Sequence, residues 1–327
     1  MATYYGTYGQ KVQYLASDPS DPQTGQVWYN STSAVLKVRQ EVATNAWASG
    51  GNMNTGRYYF TGVGNQTATL AFGGRPTSPD RTDATESYNG TSWTTVNSLN
   101  TSRAYLAGCG TQPAALAFGG YVTGSITSTE SWNGSSWTAV NPTNTARYAG
   151  AGSGLSTAGL YFGGDTNPPA VRTGATELWN GTSWTSNPTG LNSARKYLAG
   201  CGLQTATLAF GGVQPPASPL NATESWNGSI WTSVNSLNTA RKGLGGAGTQ
   251  TLALAFGGTP PDTGATESWN GTSWASNPNS MATARGYLAG AGTQTSAIAF
   301  GGYAGGVSAA TEEWTGTQTL SRTVTVS

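Results

Sequence analysis

The chain repeats one sequence pattern six times, and this repetition restricts its possible folds more than any other feature. Each copy runs from an arginine to Ala-Phe-Gly-Gly or Tyr-Phe-Gly-Gly and then to Glu-x-Trp or Glu-x-Tyr. The phenylalanines of the copies lie 46, 44, 48, 46 and 44 residues apart, and are Phe72, Phe118, Phe162, Phe210, Phe256 and Phe300. A period of this length indicates a repeat architecture.

Each copy predicts four strands, as the second copy illustrates. A segment rich in glycine and alanine (103–110) precedes the apolar run Ala114–Phe118, and both have the length and composition of strands. A third strand covers Thr129–Trp132, and a fourth begins at Trp137. The intervening Asn133-Gly134 predicts a type I′ hairpin turn, in which both residues take positive φ. Four-stranded sheets that repeat in this way predict an all-β propeller.

The number of anchors predicts six blades, and the small residues of the first strand fit a crowded propeller axis. Gly108, Gly200, Gly246 and Gly290 stand where a branched side chain would clash with a neighbouring strand. Cys109 and Cys201 occupy equivalent positions two copies apart, which is beyond the reach of a disulfide. We expect both cysteines to be small buried residues.

The motifs together resemble the kelch-type propeller repeat over about residues 46–327. Four features carry the resemblance: Gly-Gly after an apolar strand, Glu-x-aromatic, a tight turn with tryptophan, and an arginine that opens the next copy. Near-identical copies joined to the opening GQVWYNSTSAVLKVR (25–39) also resemble structural proteins of tailed bacteriophages, especially those that infect marine cyanobacteria. Some kelch-type propellers are copper-radical oxidases, but this chain lacks the histidine ligands.

The residue inventory argues against catalysis. The absence of histidine excludes Ser-His-Asp triads, Cys-His pairs and histidine-bound zinc or copper. Glycoside hydrolysis by two carboxylates stays formally open, since it needs only a pair of acids. We expect a non-enzymatic protein with no catalytic residues, no cofactor and no metal site.

Two charged residues recur in every copy and indicate scaffolding rather than a catalytic pair. We expect an arginine-carboxylate or arginine-carbonyl tie between strands, because the guanidinium fork suits bidentate contacts. The alternative is a sixfold polar ring that binds a ligand at the axis. The residues are Arg57, Arg103, Arg147, Arg195, Arg241, Arg285, Glu86, Glu130, Glu177, Glu224, Glu267 and Glu312.

The segments after Gly-Gly differ in length, charge and proline content between copies. Strand direction places these loops on the same rim as the connections between copies, and variable loops on a rigid scaffold commonly carry recognition. Tyr121 and Tyr303 directly follow a Gly-Gly and are the candidate binding residues, because tyrosine suits both sugar stacking and protein hot spots. The alternative is that these loops are exposed spacers.

The opening residues do not follow the repeat, which predicts an attachment segment at 1–45 and a propeller at 46–327. Val27-Trp28-Tyr29 and Val35-Leu36-Lys37-Val38 predict a hairpin. Trp47 stands in a fourth-strand position, so we expect its strand to complete the last blade, beside a C-terminal strand at 323–326. The alternative makes the N-terminal hairpin part of a seventh blade.

Composition limits the partners. Only 9% of residues are charged and the formal net charge is +1, so there is no basic stripe for nucleic acid. No apolar run approaches the roughly 20 residues of a membrane span, and residues 1–6 lack the features of a signal peptide. We expect a virion protein of the tail or fibre apparatus, made in the host cytoplasm. Its partners would be copies of itself, other virion proteins and a host glycan or protein. The alternative is an extracellular bacterial adhesin that binds carbohydrate.

Overall fold

Six four-stranded antiparallel sheets follow one another along the chain, as the repeat predicts. A computed structural model describes residues 12–42, 44–78, 80–216 and 218–324. The described residues contain no helix. This all-β architecture of repeated sheets is consistent with a β-propeller.

Each sheet follows chain order from its first to its fourth strand, except that the sixth sheet takes its fourth strand from the N-terminal side of the repeats. The first sheet contains Thr61–Asn65, Ala68–Phe72, Thr85–Tyr88 and Trp93–Val96, and the second contains Ala107–Thr111, Ala114–Phe118, Thr129–Trp132 and Trp137–Val140. The third contains Ala151–Leu155, Ala158–Phe162, Thr176–Trp179 and Trp184–Asn187, and the fourth contains Ala199–Leu203, Ala206–Phe210, Thr223–Trp226 and Trp231–Val234. The fifth contains Gly245–Gly248, Ala253–Phe256, Thr266–Trp269 and Trp274–Ser276. The sixth contains Ala289–Gly292, Ser296–Phe300, Thr311–Thr315 and Ala46–Ser49, so the prediction that the Trp47 strand completes the last sheet is confirmed.

Burial changes systematically across each sheet. In the second sheet, Ala115 to Phe118 are all buried, so this strand is covered on both faces. The fourth strand of the same sheet buries Trp137 but exposes Thr138 and Ala139. Eleven of the 12 tryptophans in the chain are buried. The aromatic side chains therefore fill the space between sheets, where each buries a large apolar area.

Each anchor phenylalanine packs against a glycine in the first strand of the next sheet. A Cβ atom on Gly108 would lie 2.7 Å from Cζ of Phe72, and one on Gly200 would lie 2.4 Å from Cζ of Phe162. The sequence predicted glycine here because of crowding between first strands. The nearest atom to each predicted glycine belongs to the phenylalanine ring of the preceding sheet. Crowding between first strands contributes as well, because a Cβ atom on Gly246 would lie 3.2 Å from that of Ala199, and one on Gly290 would lie 3.1 Å from the carbonyl of Gly246.

A tryptophan-threonine hydrogen bond joins each sheet to the preceding one. Nε1 of the fourth-strand tryptophan donates to Oγ1 of the threonine that begins the third strand next door, over 2.9–3.1 Å. The pairs are Trp93–Thr311, Trp137–Thr85, Trp184–Thr129, Trp231–Thr176, Trp274–Thr223 and Trp47–Thr266. First strands of consecutive sheets also lie against each other, and the sixth lies against the first.

The Asn-Gly hairpins form, but not with the predicted turn. Trp132 pairs with Trp137, which leaves a four-residue loop. Only Gly134 has positive φ, at 95°, whereas a type I′ turn needs two such residues. Oδ1 of Asn133 accepts hydrogen bonds from the backbone N–H groups of Ser135 and Ser136, both at 2.9 Å. The side chain of Asn133 thus supports a longer loop that needs one glycine.

A further four-stranded sheet, outside the six repeats, is made from segments near the two ends of the chain. It contains Gln13–Leu15, Val27–Asn30, Val35–Val42 and Gln318–Thr323, in that order, and only its first pair is parallel. The predicted N-terminal hairpin is therefore confirmed. Residues 46–314 form one compact unit, while the described residues of 12–45 and 315–324 group as another.

The expected place of the C-terminal strand was wrong. We expected residues 323–326 to lie beside the Trp47 strand, but Gln318–Thr323 pairs with Val35–Val42. That strand is eight residues long and provides a free edge for six paired residues, whereas Ala46–Ser49 spans only four. Residues 325 and 326 of the expected strand lie outside the described residues.

Two short hairpins lie in the loops between the second and third strands of the third and fourth repeats. The first pairs Asp165–Thr166 with Val171–Arg172, and the second pairs Val213–Gln214 with Ser218–Pro219. Backbone bridges connect the residue after each repeat arginine to the residue after Gly-Gly, as in Tyr58 with Arg75 and Ala104 with Tyr121. The variable loops and the connections between repeats therefore share one rim of residues 46–314.

Candidate functional site

Every repeat contains a buried ion pair between its arginine and its glutamate. Five of these pairs have N–O distances of 2.6–3.1 Å, and they are Arg57–Glu86, Arg103–Glu130, Arg147–Glu177, Arg241–Glu267 and Arg285–Glu312. The sixth pair is Arg195 with Glu224. All twelve side chains are at most 4% exposed. Each pair therefore lies inside its own repeat, away from solvent.

The glutamate also fixes the connection that leads into its repeat. In the first repeat, Glu86 accepts hydrogen bonds from the backbone N–H groups of Asn54, at 2.7 Å, and Thr55, at 3.3 Å. Nη1 of Arg57 donates to the carbonyl of Ala84 over 2.8 Å. Burial lowers the pKa of Arg57 to about 10, and the charge of Glu86 opposes that shift. The pair ties strands and connection together, which is a structural role.

The residue two positions after each repeat arginine forms a ring that the sequence did not reveal to us. These residues are Tyr59, Tyr105, Ala149, Tyr197, Gly243 and Tyr287. Each N–H donates to the carbonyl of its equivalent in the preceding repeat over 2.6–3.3 Å, and the N–H of Tyr59 donates to Tyr287. The series of six hydrogen bonds thus returns to its starting residue.

All six residues of this ring lie in the left-handed backbone region, with φ from 54° to 61°. Five are not glycine, and such conformations cost on the order of 1–3 kcal/mol each unless the surroundings impose them. Tyrosine occurs at four of the six positions, so Arg-x-Tyr was the available sequence signal. The ring holds these side chains over one end of the first strands.

Eight of the 15 tyrosines form one connected cluster here, which we call the tyrosine face. Ring centroids are 4.1 Å apart for Tyr59 and Tyr105 and 4.5 Å apart for Tyr59 and Tyr287. The members are Tyr58, Tyr59, Tyr105, Tyr121, Tyr148, Tyr197, Tyr287 and Tyr303. Seven are half-buried and Tyr303 is exposed. The face therefore offers both aromatic area and hydroxyl groups to solvent.

Both tyrosines predicted from the sequence lie on this face, at different places. The ring of Tyr121 lies 5.3 Å from that of Tyr148 and 6.4 Å from that of Tyr105. Tyr303 is 39% exposed, and its ring lies 5.4 Å from that of Tyr58. Sequence reasoning therefore found two members and missed six, which come from the residues after the arginines rather than from the loops.

A charged cluster that occurs once, between the third and fourth repeats, supports the face. Asp165 is buried and pairs with Arg172 and with Nζ of Lys196, the latter at 2.6 Å. Nζ of Lys196 lies 5.3 Å from the ring centroid of Tyr148 and 5.1 Å from that of Tyr197. Cation-π contact of this kind helps to fix the rings.

The cysteines lie apart from this face, on the first strands. Both are buried and free, and their thiols lie 3.4 Å from backbone carbonyls of Leu155 and Thr249. Burial raises the pKa of the Cys201 thiol to about 12. Such a thiol is a small core residue rather than a nucleophile.

A scan against protein-family models and a search of curated proteins each found no match to this chain. Among the described residues, no three histidine, cysteine, aspartate or glutamate side chains group as metal ligands. The same residues include no helix of the length and hydrophobicity needed to cross a membrane.

Proposed function

We propose that residues 46–314 are a closed six-bladed β-propeller of kelch-like type. The contacts between first strands support this arrangement, because they run through all six sheets and include the sixth against the first. The tryptophan-threonine bonds support it equally, because Trp93 of the first sheet reaches Thr311 of the sixth. The terminal sheet belongs to the other compact unit, which favours six blades over seven. Counting blades in end-on electron micrographs tests this proposal.

The function we propose is binding rather than catalysis, with the tyrosine face as the binding surface. Eight clustered tyrosines at the rim are the observation that carries this proposal. Tyrosine is enriched at binding hot spots because a rigid ring supplies contact area and its hydroxyl supplies a hydrogen bond. The recurring glutamates, by contrast, are committed to arginines inside the repeats.

We place this protein in the tail or fibre apparatus of a bacteriophage virion, as a structural protein that presents its face to the host surface. The near-identical repeats and the phage-like opening at 25–39 support this assignment. The sheet made from the chain ends would attach the protein to other virion proteins or to identical copies. The competing function is that of a bacterial surface adhesin.

A host-binding assay tests the function with the full-length protein. Replacing both Tyr121 and Tyr303 by serine should weaken attachment to host cells by about 2 kcal/mol, or about thirtyfold in affinity. The thermal transition of the variant should match that of the wild type. Unchanged attachment by a folded double variant would mean that the rim loops are spacers.

Antibody labelling of purified particles tests the virion assignment separately. Label at the tail supports it, whereas label on the bacterial envelope and none on particles would favour the adhesin. Turnover of a host polysaccharide by the pure protein, lost on replacing one acidic residue, would contradict both non-enzymatic functions.

A further inference from the structure

The tyrosine face contains a cavity of about 200 Å³ that residues of the first four repeats line. Four tyrosines line it, together with two arginines, an aspartate and an asparagine. The lining residues are Tyr105, Tyr121, Tyr148, Tyr197, Arg75, Arg81, Asp80 and Asn167. A space of this size suits a single small ring rather than an extended chain, since pockets for drug-sized ligands begin near 300 Å³.

The tyrosine rings contact one another at steep angles and so form one uneven aromatic surface at the cavity. Tyr105 and Tyr148 are inclined by 76°, Tyr121 and Tyr148 by 63°, and Tyr105 and Tyr121 by 84°. A ring that enters the cavity meets both aromatic faces and phenol hydroxyls. A sugar offers the matching surfaces, because its C–H groups pack on aromatic faces while its hydroxyls form hydrogen bonds.

The walls are held in place before any ligand arrives. Tyr105 and Tyr197 belong to the backbone hydrogen-bond ring, which fixes their left-handed conformation. The loop of Asn167 is joined to the neighbouring loop because its backbone carbonyl accepts hydrogen bonds from the backbone N–H and hydroxyl of Ser125, at 3.0 and 2.9 Å. Rigid walls reduce the entropy lost on binding.

The charges around the cavity favour an anion. Arg75 and Arg81 stand against the carboxylate of Asp80, an excess of one positive charge among the lining residues in a chain whose formal net charge is +1. Nζ of Lys196 adds positive charge beside the lining rings of Tyr148 and Tyr197, and Lys196 shares its partner Asp165 with Arg172. The other acids of the first four repeats, Asp83, Glu86, Glu130, Asp165, Glu177 and Glu224, are not among the lining residues.

Asp80 occupies the position that a ligand carboxylate would take. Its carboxylate pairs with Arg75 and lies 3.0 Å from Nη1 of Arg81, yet its side chain is 55% exposed. Asp165, in contrast, is 6% exposed and committed to Arg172 and Lys196. The exposed loop residue Asp80 can therefore be displaced, while the arginines that it bridges remain at the cavity.

We infer that this cavity binds a carboxylated sugar, specifically a hexuronate unit of a surface glycan. The sugar carboxylate lies on Arg75 and Arg81 in place of Asp80, and the sugar ring packs on the surface formed by Tyr121, Tyr148 and Tyr105. This inference rests on the proposed function of the tyrosine face as a binding surface, and it names the chemistry that the surface recognises.

Titration of the full-length protein with simple glycosides tests the inference. The probes are methyl β-D-glucuronide and methyl α-D-galacturonide, with methyl β-D-glucoside as the neutral analogue, followed by ligand-observed NMR. At least one glucuronide or galacturonide should bind about tenfold more tightly than the glucoside, because charge-assisted hydrogen bonds are the stronger ones. Arg75→Gln should remove that preference, and Asp80→Asn should strengthen binding of the acidic sugar.

The chain supplies a control for the aromatic wall outside the tyrosine face. Tyr121 lines the cavity, whereas Tyr14 is 75% exposed on the terminal sheet. Tyr121→Ser should weaken binding of the acidic glycoside about tenfold, whereas Tyr14→Ser should leave it unchanged. Thermal transitions of all variants establish that they are folded.

Several results would overturn the inference. These are no binding of either acidic glycoside, equal binding of the neutral one, and unchanged binding by folded Arg75→Gln. Tighter binding of a tetraglutamate peptide would assign the cavity to acidic peptides instead, and equal competition by inorganic phosphate would make it a general anion site. If the sugars fail while host attachment still depends on Tyr121 and Tyr303, only the inference fails. If attachment is insensitive to both, the proposed function fails.

Discussion

The interior of the sheets and the tyrosine face use polar groups in opposite ways. Inside, each of the six repeats places one buried arginine against one buried glutamate. On the face, the position two residues after each repeat arginine holds tyrosine in four repeats, but Ala149 and Gly243 in the other two. The charged residues Asp165, Arg172 and Lys196 also come together in one place only.

This difference distinguishes structural residues from binding residues. A group that every repeat needs for its own folding is retained in every copy, so the buried ion pairs do not indicate where a ligand binds. A ligand is not sixfold symmetric, so its site lies where the copies differ. The cavity beside Tyr121 is such a place, because the loops of three different repeats contribute to it.

Removing one arginine from a buried pair should have the largest effect on stability. Arg241→Met leaves Glu267 buried without its cation, which should lower the free energy of unfolding by about 3–5 kcal/mol. The rim variant Arg75→Met, whose partner Asp80 is exposed, should cost about 1 kcal/mol or less. Urea unfolding measures both.

The double variant Arg241→Met/Glu267→Met sharpens this test. Replacing both partners removes the uncompensated charge and should recover part of the loss. The rest remains, because Glu267→Met leaves the backbone N–H of Asn238 without its acceptor. Equal costs for Arg241→Met and Arg75→Met would remove the distinction between interior and face.

A methyl group added between two sheets should have the next largest effect. In Gly62→Ala the new Cβ would lie 2.2 Å from Cζ of Phe300, so ring or backbone must shift at a cost of about 1–3 kcal/mol. Gly306→Ala is the rim control, because no atom lies within 4 Å of the added Cβ. Thermal unfolding compares the two variants, and an unchanged transition for Gly62→Ala would contradict the packing described between the sixth and first sheets.

Loss of one tryptophan-threonine bond should cost somewhat less. Thr176→Val leaves Nε1 of the buried Trp231 without its acceptor, which should lower stability by about 1–2 kcal/mol. Thr138→Val changes an exposed strand residue and should stay within about 0.5 kcal/mol of the wild type. Equal transitions for the two variants would mean that this bond contributes nothing to the contact between sheets.

The sequence predicted the repeated interior well and the tyrosine face poorly, for physical reasons. Strands such as Ala114–Phe118 and Thr129–Trp132 follow from local patterns of burial that recur in each copy. The backbone ring through Tyr59 and Tyr287 joins residues that are far apart in the chain, and it needs left-handed tyrosines that no local rule favours. The Asn-Gly turn type failed because loop length and the Asn133 side chain decided it.

Removing the phenol hydroxyl of Tyr197 should have the smallest effect on stability at neutral pH, but it should change how stability depends on pH above pH 9. Burial raises the pKa of Tyr197 well above its usual range, and the neighbouring phenols of Tyr105 and Tyr287 add to the shift. In the unfolded chain this phenol ionises near pH 10. Above that pH the unfolded state releases a proton that the folded state retains, so stability should fall as the pH rises.

Tyr197→Phe removes this contribution and should therefore make the decline shallower. At pH 8 the variant should lie within about 0.5 kcal/mol of the wild type, because the phenol is neutral in both states. Between pH 9 and pH 11 the wild type should lose more stability than the variant in urea unfolding. If Tyr197→Phe and the wild type decline in parallel, the phenol of Tyr197 is open to solvent and the tyrosine face is looser than the backbone ring implies.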